Sequence, residues 1–178
     1  NEMMKEVQEH LKSLSLPVPL HLVIKSTPSS MHSFFELSPS LEGGKFCLTT
    51  VDTIFKEDEF ASYIKAFEQD DVHDGLMAVT DYIDDEKPLY VATDPSLSVT
   101  GFMDSAYPGA RYISGGIYCL NQAGIHTLHG CMNDGVSRMR NYQRRLVEEG
   151  VQLKAYPFSK IIDVDHVEDI QKAENFIY

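Results

Sequence analysis

Tryptophan is absent from this 178-residue chain, and cysteine occurs only as Cys47, Cys119 and Cys131. Three irregularly spaced cysteines make no disulfide framework, so reduced thiols and a cytoplasmic setting are expected. No run of about 18 apolar residues exists, which excludes a membrane-spanning helix. No basic segment leading into an apolar stretch opens the chain, so a secretory leader is not expected. Positive charge is scarce: 15 Lys and Arg face 27 Asp and Glu, for a net charge of -12. That balance argues against nucleic acid as a partner, which calls for a basic surface. It leaves phosphorylated small molecules open, provided a metal ion or a local cluster of Lys and Arg offsets the repulsion.

Hydrophobic residues make up 43% of the chain, a globular proportion that suits one core. No internal repeat, low-complexity segment or linker interrupts it, so residues 1–178 are expected to form a single domain. The chain opens at Asn1 inside a helical pattern, which leads to the expectation that it is the C-terminal portion of a longer domain.

Met3, Met4, Val7, Leu11 and Leu14 recur at helical spacing up to about Ser13, ahead of Pro17 and Pro19. His21–Lys25 reads as a buried strand. Ser29 or Ser30 is placed to cap a short helix that Pro39 stops. After Gly43-Gly44, Lys45–Val51 reads as a strand, and Lys56–Gln69 as a helix with Phe60, Ile64 and Phe67 on its apolar face. Strands are expected at Leu76–Val79, Leu89–Thr93, Ser98–Phe102 and Arg111–Leu120, with a solvated loop at Asp84-Asp85-Glu86. Two helices, Ala123–Cys131 and Val136–Glu149, follow, with Gly150 as a C-cap. Short strands at Val151–Pro157 and Lys160–Val164 lead to a final helix with Ile170, Ala173 and Ile177 as its apolar face. This alternation predicts a Rossmann-like, three-layer α/β domain with a mixed, mostly parallel central sheet and an antiparallel insertion in the middle.

Four segments are candidates for chemistry. Thr49-Thr50-Val51-Asp52-Thr53 ends a strand, where ligands bind in open α/β sheets, and a carboxylate there suits Mg²⁺. Asp52 also suits a plain turn cap. Asp163-Val164-Asp165-His166 likewise ends a strand; Asp165 or His166 fits a helix cap, which leaves Asp163 without that explanation. Ser114-Gly115-Gly116-Ile117-Tyr118 puts two glycines inside a strand, as a bulge or as a backbone that a substrate approaches closely. Ser26–His32 is a hydroxyl-rich loop entering a helix, a place that attracts anions. His126, His129 and Cys131 have no second ligand pair and fall in a helix, which argues against zinc. Arg138, Arg140, Arg144 and Arg145 crowd one helix as a solvated face, with Arg138 or Arg140 open to an anion.

Taken in order, these segments resemble the sugar nucleotidyltransferases, or nucleoside-diphosphate-sugar pyrophosphorylases. The matching pieces are Ser26–His32, Val51-Asp52, Ser114–Tyr118, and Asp163-Val164-Asp165 leading to Glu168-Asp169-Ile170. The resemblance implies that a sugar 1-phosphate attacks a nucleoside triphosphate and releases pyrophosphate. It implies Mg²⁺ held by Asp52, Asp163 and Asp165, catalytic roles for Asp52 and Asp163, and substrate contacts from Ser29, Ser30, Gly115 and Gly116. The expected partners are a nucleoside triphosphate, a sugar 1-phosphate and a second copy of the chain. The chain departs from the family at Val51, where a Gly is usual, and nothing in it matches the family's first strand and glycine-rich loop. Glu86-Lys87-Pro88 lies too far upstream of the glycines for the family's Glu-Lys-Pro role to be given to Lys87. A degenerate, non-catalytic nucleotide- or sugar-phosphate-binding domain is the alternative. The D-x-D pattern of Asp163 and Asp165 is superficially similar to haloacid dehalogenase phosphatases, whose motif opens the domain, whereas here a single helix follows it.

Overall fold

Strands that are apolar on both faces need cover on both faces. In the computed structural model, which describes residues 3–84 and 86–177, the two strands of that kind are β3 (Gly75–Thr80) and β6 (Tyr112–Leu120). They pair at the centre of a six-stranded sheet. β4 (Tyr90–Thr93) pairs with the start of β6 and carries β5 (Val99–Met103) on its outer side, and β1 (Phe46–Thr49) pairs with the end of β6. β7 (Leu153–Phe158) lies on the far side of β3.

One face of the sheet carries Met77, Val79, Tyr118, Leu120, Leu153 and Ala155. It is covered by α2 (Ser30–Leu37), α4 (Gln122–Asn133) and α5 (Met139–Glu148), which contribute Phe34, Leu128, Tyr142 and Leu146. The other face carries Leu76, Ala78, Ile117, Cys119 and Phe158, covered by Tyr63 and Phe67 of α3 (Glu57–Glu68). Burying each of the Leu, Ile, Val, Met and Phe side chains among them contributes about 1.5–3 kcal/mol. Tyr63 also stitches the layers together: its hydroxyl donates to the Leu76 carbonyl (2.5 Å) and accepts from the Cys119 amide (2.9 Å). A second, two-stranded ribbon joins β2 (Thr53–Ile54) to β8 (Ile162–Asp163), just before α6 (Val167–Ile177).

The three layers agree with the sequence-based expectation, but the sheet is not mostly parallel. Among the described residues only β3 and β7 run parallel; the other strand pairings are antiparallel. The short turn between β4 and β5 obliges that pair to run antiparallel, whereas β1 and β3 meet β6 from far along the chain, and the long path through α4 and α5 leaves β7 free to lie parallel to β3. His21–Lys25 joins no strand among the described residues, and all of it but Leu22 is exposed. Without a neighbouring strand its amides have no ladder to enter. The apolar stripe on α1 (Lys5–Ser13) buries no residue of that helix. On α6 only Ala173 is buried, and Ile170 and Ile177 face outward. Asp84 is exposed as expected; Asp85 lies outside the described residues, as do Asn1, Glu2 and Tyr178. No helix among the described residues is long and apolar enough to cross a membrane.

Candidate active site

β1 ends at Thr49, and the chain turns through Thr50, Val51 and Asp52 into β2. The β2–β8 register sets Thr53 opposite Asp163, and the Val164 amide donates to the Asp52 carbonyl (2.9 Å). Two acids far apart in the chain thereby stand at adjoining positions of one small ribbon. The Thr53 hydroxyl donates to Asp163 Oδ1 (3.3 Å) and shares a short hydrogen bond with the Thr50 hydroxyl. The Thr50 amide donates to the Gly116 carbonyl (3.2 Å), which ties the turn to the middle of β6.

Asp52 and Asp163 both border a cavity of about 280 Å³, together with Gly116, Tyr118, Arg138 and Arg140. A larger cavity, about 410 Å³, adjoins Gly115, Tyr82, Asp165, His166 and Lys172. Lys87, Ser114 and Asp163 border both, so Asp163 stands where the two meet.

The glycines of β6 sit in tight surroundings, and Gly116 also has a backbone conformation that favours glycine. A Cβ on Gly115 would strike the Ile161 side chain. Gly116 has φ +72°, and a Cβ there would sit 2.8 Å from Thr53 Oγ1 and 3.0 Å from Thr50 Oγ1. The β3–β6 register also shifts between Met77 and Val79. The Gly-Gly pair thus marks an irregular strand whose backbone also borders the two cavities.

Tyr118 is buried, and its phenol is pushed up to about 12, chiefly by that burial. A hydrogen bond with Ser114 opposes the shift, and the charges of Asp163 and Asp52 add to it. The phenol is therefore a neutral group near pH 7. Beside it, Gln143 is 2% exposed, accepts from Ser114 Oγ (3.0 Å) and donates to the Tyr118 hydroxyl (3.4 Å). In the larger cavity, Lys172 bonds Asp84 (2.8 Å) and Asp169 (3.0 Å). These bonds raise the Lys172 pKa and lower those of both carboxyls.

The remaining expected residues divide. Ser30 borders the smaller cavity, whereas the Ser29 hydroxyl bonds His32 Nδ1 (2.8 Å). Asp165 borders the larger cavity and does not join Asp52; among the described residues no group of three or more His, Cys, Asp or Glu is arranged to hold a metal. Two carboxylates still match Mg²⁺, which keeps several waters and takes one or two protein acids plus substrate phosphate oxygens. His126 and His129 gather no such set; His129 packs its ring against Phe35. Tyr118, Gln143 and Lys87 were not picked out as site residues from the sequence. Gln143 carries a readable signal: it lies three residues before buried Leu146 and so shares the apolar face of α5.

No family model matches the sequence, and no curated protein matches it at the sequence level. Solved structures do match the fold. The inositol-1-phosphate CTP transferase from T. maritima superposes with TM-score 0.66 at 18% identity, over 84% of this chain and 64% of its own. This chain therefore spans under two thirds of that enzyme's length. A protein described as a glucose-1-phosphate thymidylyltransferase from Bacillus anthracis gives TM-score 0.73 at 14% identity, over 97% of this chain and 71% of its own. HddC from Yersinia pseudotuberculosis gives 0.71 at 17%, over 98% and 75%, and has also been solved with GMP-PN. At these identities the likeness is one of fold: the chain has the fold of sugar-phosphate nucleotidyltransferases.

Proposed function

We propose that the protein transfers a nucleotidyl group from a nucleoside triphosphate to a sugar 1-phosphate or similar phosphorylated small molecule. An acceptor phosphate oxygen bonds to the α-phosphorus, the bond to the bridging β-phosphate oxygen breaks, and pyrophosphate leaves. The observation that carries this reading is the β2–β8 ribbon, which sets Asp52 and Asp163 beside one cavity in a fold used for this chemistry.

Mg²⁺, when bound between these two acids, would neutralise phosphate charge and help align the reacting groups. The chain's own residues position that arrangement. Thr53 orients Asp163 through its hydroxyl, and the Asp52 carbonyl is fixed by the Val164 amide. Tyr118 remains a neutral hydroxyl beside the two carboxylates, held by Gln143, and so adds no charge that would repel phosphate. The Gly115–Gly116 backbone lets a sugar or phosphate lie close to the sheet. Such transfers chiefly require positioning and charge neutralisation, which these residues and the metal they would hold are proposed to supply.

The test is pyrophosphate release by the full-length protein with Mg²⁺, across a panel of nucleoside triphosphates and sugar 1-phosphates. Turnover with at least one pair is expected, reduced at least about 10²-fold in Asp52→Asn and Asp163→Asn, on the scale of several kcal/mol for metal stabilisation. Binding without turnover for every pair would overturn this reading and leave a non-catalytic binding domain.

A further inference from the structure

The chain has five arginines. Arg111 pairs with Asp81, Arg140 and Arg144 with Asp104, and Arg145 with Asp134. Arg138 is different: among the described residues its guanidinium has neither an ion pair nor a hydrogen bond. In a chain of net charge -12, carboxylates are plentiful, so a cation without one is out of pattern. Its backbone is out of pattern too. Arg138 has φ 72° and ψ 139°, one of only two non-glycine residues with positive φ among those described. Glycine adopts that region freely, whereas a long side chain there lowers stability. This strained arginine, unpaired among the described residues, borders the smaller cavity, with Asp52, Asp163 and Tyr118 among its other walls.

These observations concern one residue and agree on a direction. A guanidinium is a fixed positive charge with a planar fork of donors, matched to two oxygens of a phosphate group. Arg140, which borders the same cavity, is already engaged by Asp104 (2.6 Å) and by the Lys87 carbonyl (3.2 Å). We propose that Arg138 is a binding residue that receives a substrate phosphate group in this cavity, its charge opposite in sign to the acids that share the site. This rests on the nucleotidyl-transfer reading only for where the phosphate comes from: a phosphomonoester such as a sugar 1-phosphate, or the polyphosphate of the nucleotide.

Isothermal titration of the full-length protein with Mg²⁺ separates the sources, using α-glucose 1-phosphate in one arm and inorganic pyrophosphate in the other. Arg138→Gly is expected to weaken binding in at least one arm by tenfold or more, while melting no lower than the unsubstituted protein because the backbone strain is gone. Arg138→Lys is expected to recover part of that affinity, since it restores charge without the fork. Arg145→Ala, on α5 but away from the cavity, is expected to leave binding in both arms unchanged. Binding of both probes within twofold of the unsubstituted protein in Arg138→Gly would overturn the assignment. So would an unsubstituted protein that holds neither probe, or a melting temperature several degrees lower in Arg138→Gly. Tenfold weaker binding in Arg138→Gly, combined with no pyrophosphate release from any substrate pair, would uphold the anchor and overturn the reaction.

Discussion

Replacing Gly116 with alanine tests how tightly β6 is fitted to the acid-bearing ribbon. The added Cβ meets Thr53 Oγ1 at 2.8 Å and Thr50 Oγ1 at 3.0 Å, so the two hydroxyls have to move apart. A non-glycine residue at φ +72° costs about 1–2 kcal/mol by itself. Separating the threonines also weakens the Thr50–Thr53 and Thr53–Asp163 hydrogen bonds, each with a net value of about 0.5–1.5 kcal/mol. The expected destabilisation is about 2–5 kcal/mol, which for a domain of this size lowers Tm by about 4–20 °C. Urea unfolding followed by far-UV circular dichroism measures it; with no tryptophan, indole fluorescence offers no signal. The double variant Gly116→Ala/Thr53→Ala is expected to lose less than the two single variants combined, because removing Thr53 Oγ1 removes the closest contact. A Gly116→Ala protein within about 0.5 kcal/mol of the unsubstituted one, or a strictly additive cycle, would refute the argument.

Gln143→Leu removes the hydrogen bonds to the Ser114 and Tyr118 hydroxyls, each with a net value of about 0.5–1.5 kcal/mol, and is expected to destabilise the fold by about 1–3 kcal/mol in the same unfolding assay. Carbon-detected NMR titration is expected to show Asp84 and Asp169 ionising below the ordinary aspartate value near 3.9, and closer to it in Lys172→Met. Because folding lowers these pKa values, the stability they contribute is present above about pH 4 and is lost as pH falls through the folded values. The stability difference between the unsubstituted protein and Lys172→Met should therefore shrink on acidification; a difference that grows would contradict the ion triad.

Much of the fold can be read along the chain because its determinants are local. Ser29 and Pro39 bracket α2, Gly150 follows α5 with φ +78°, and the Phe60–Phe67 periodicity marks α3. What eluded the sequence depends on neighbours. His21–Lys25 has the composition of a buried strand but joins no strand among the described residues, and Ile170 and Ile177 have helical spacing but are exposed. Strand direction is not legible along the chain, because local pattern does not say whether a connection turns back or crosses over. At the site, strand ends identified Asp52 and Asp163 as candidates, but their meeting depends on the β2–β8 pairing, which neither segment announces. Lys87 borders both cavities, a position that its linear spacing from the glycines does not reveal, since distance along the chain does not measure distance across a fold.

The account stands most directly on Asp52 and Asp163 sharing one cation. Titration of the full-length protein with Mn²⁺ in the presence of a non-hydrolysable nucleoside triphosphate, followed by electron paramagnetic resonance, counts the ions held and compares Asp52→Asn with Asp163→Asn. The account predicts a site that needs both carboxylates, with Mn²⁺ affinity falling tenfold or more in each variant. Mn²⁺ bound equally well by both variants, or not bound by the unsubstituted protein, would contradict it.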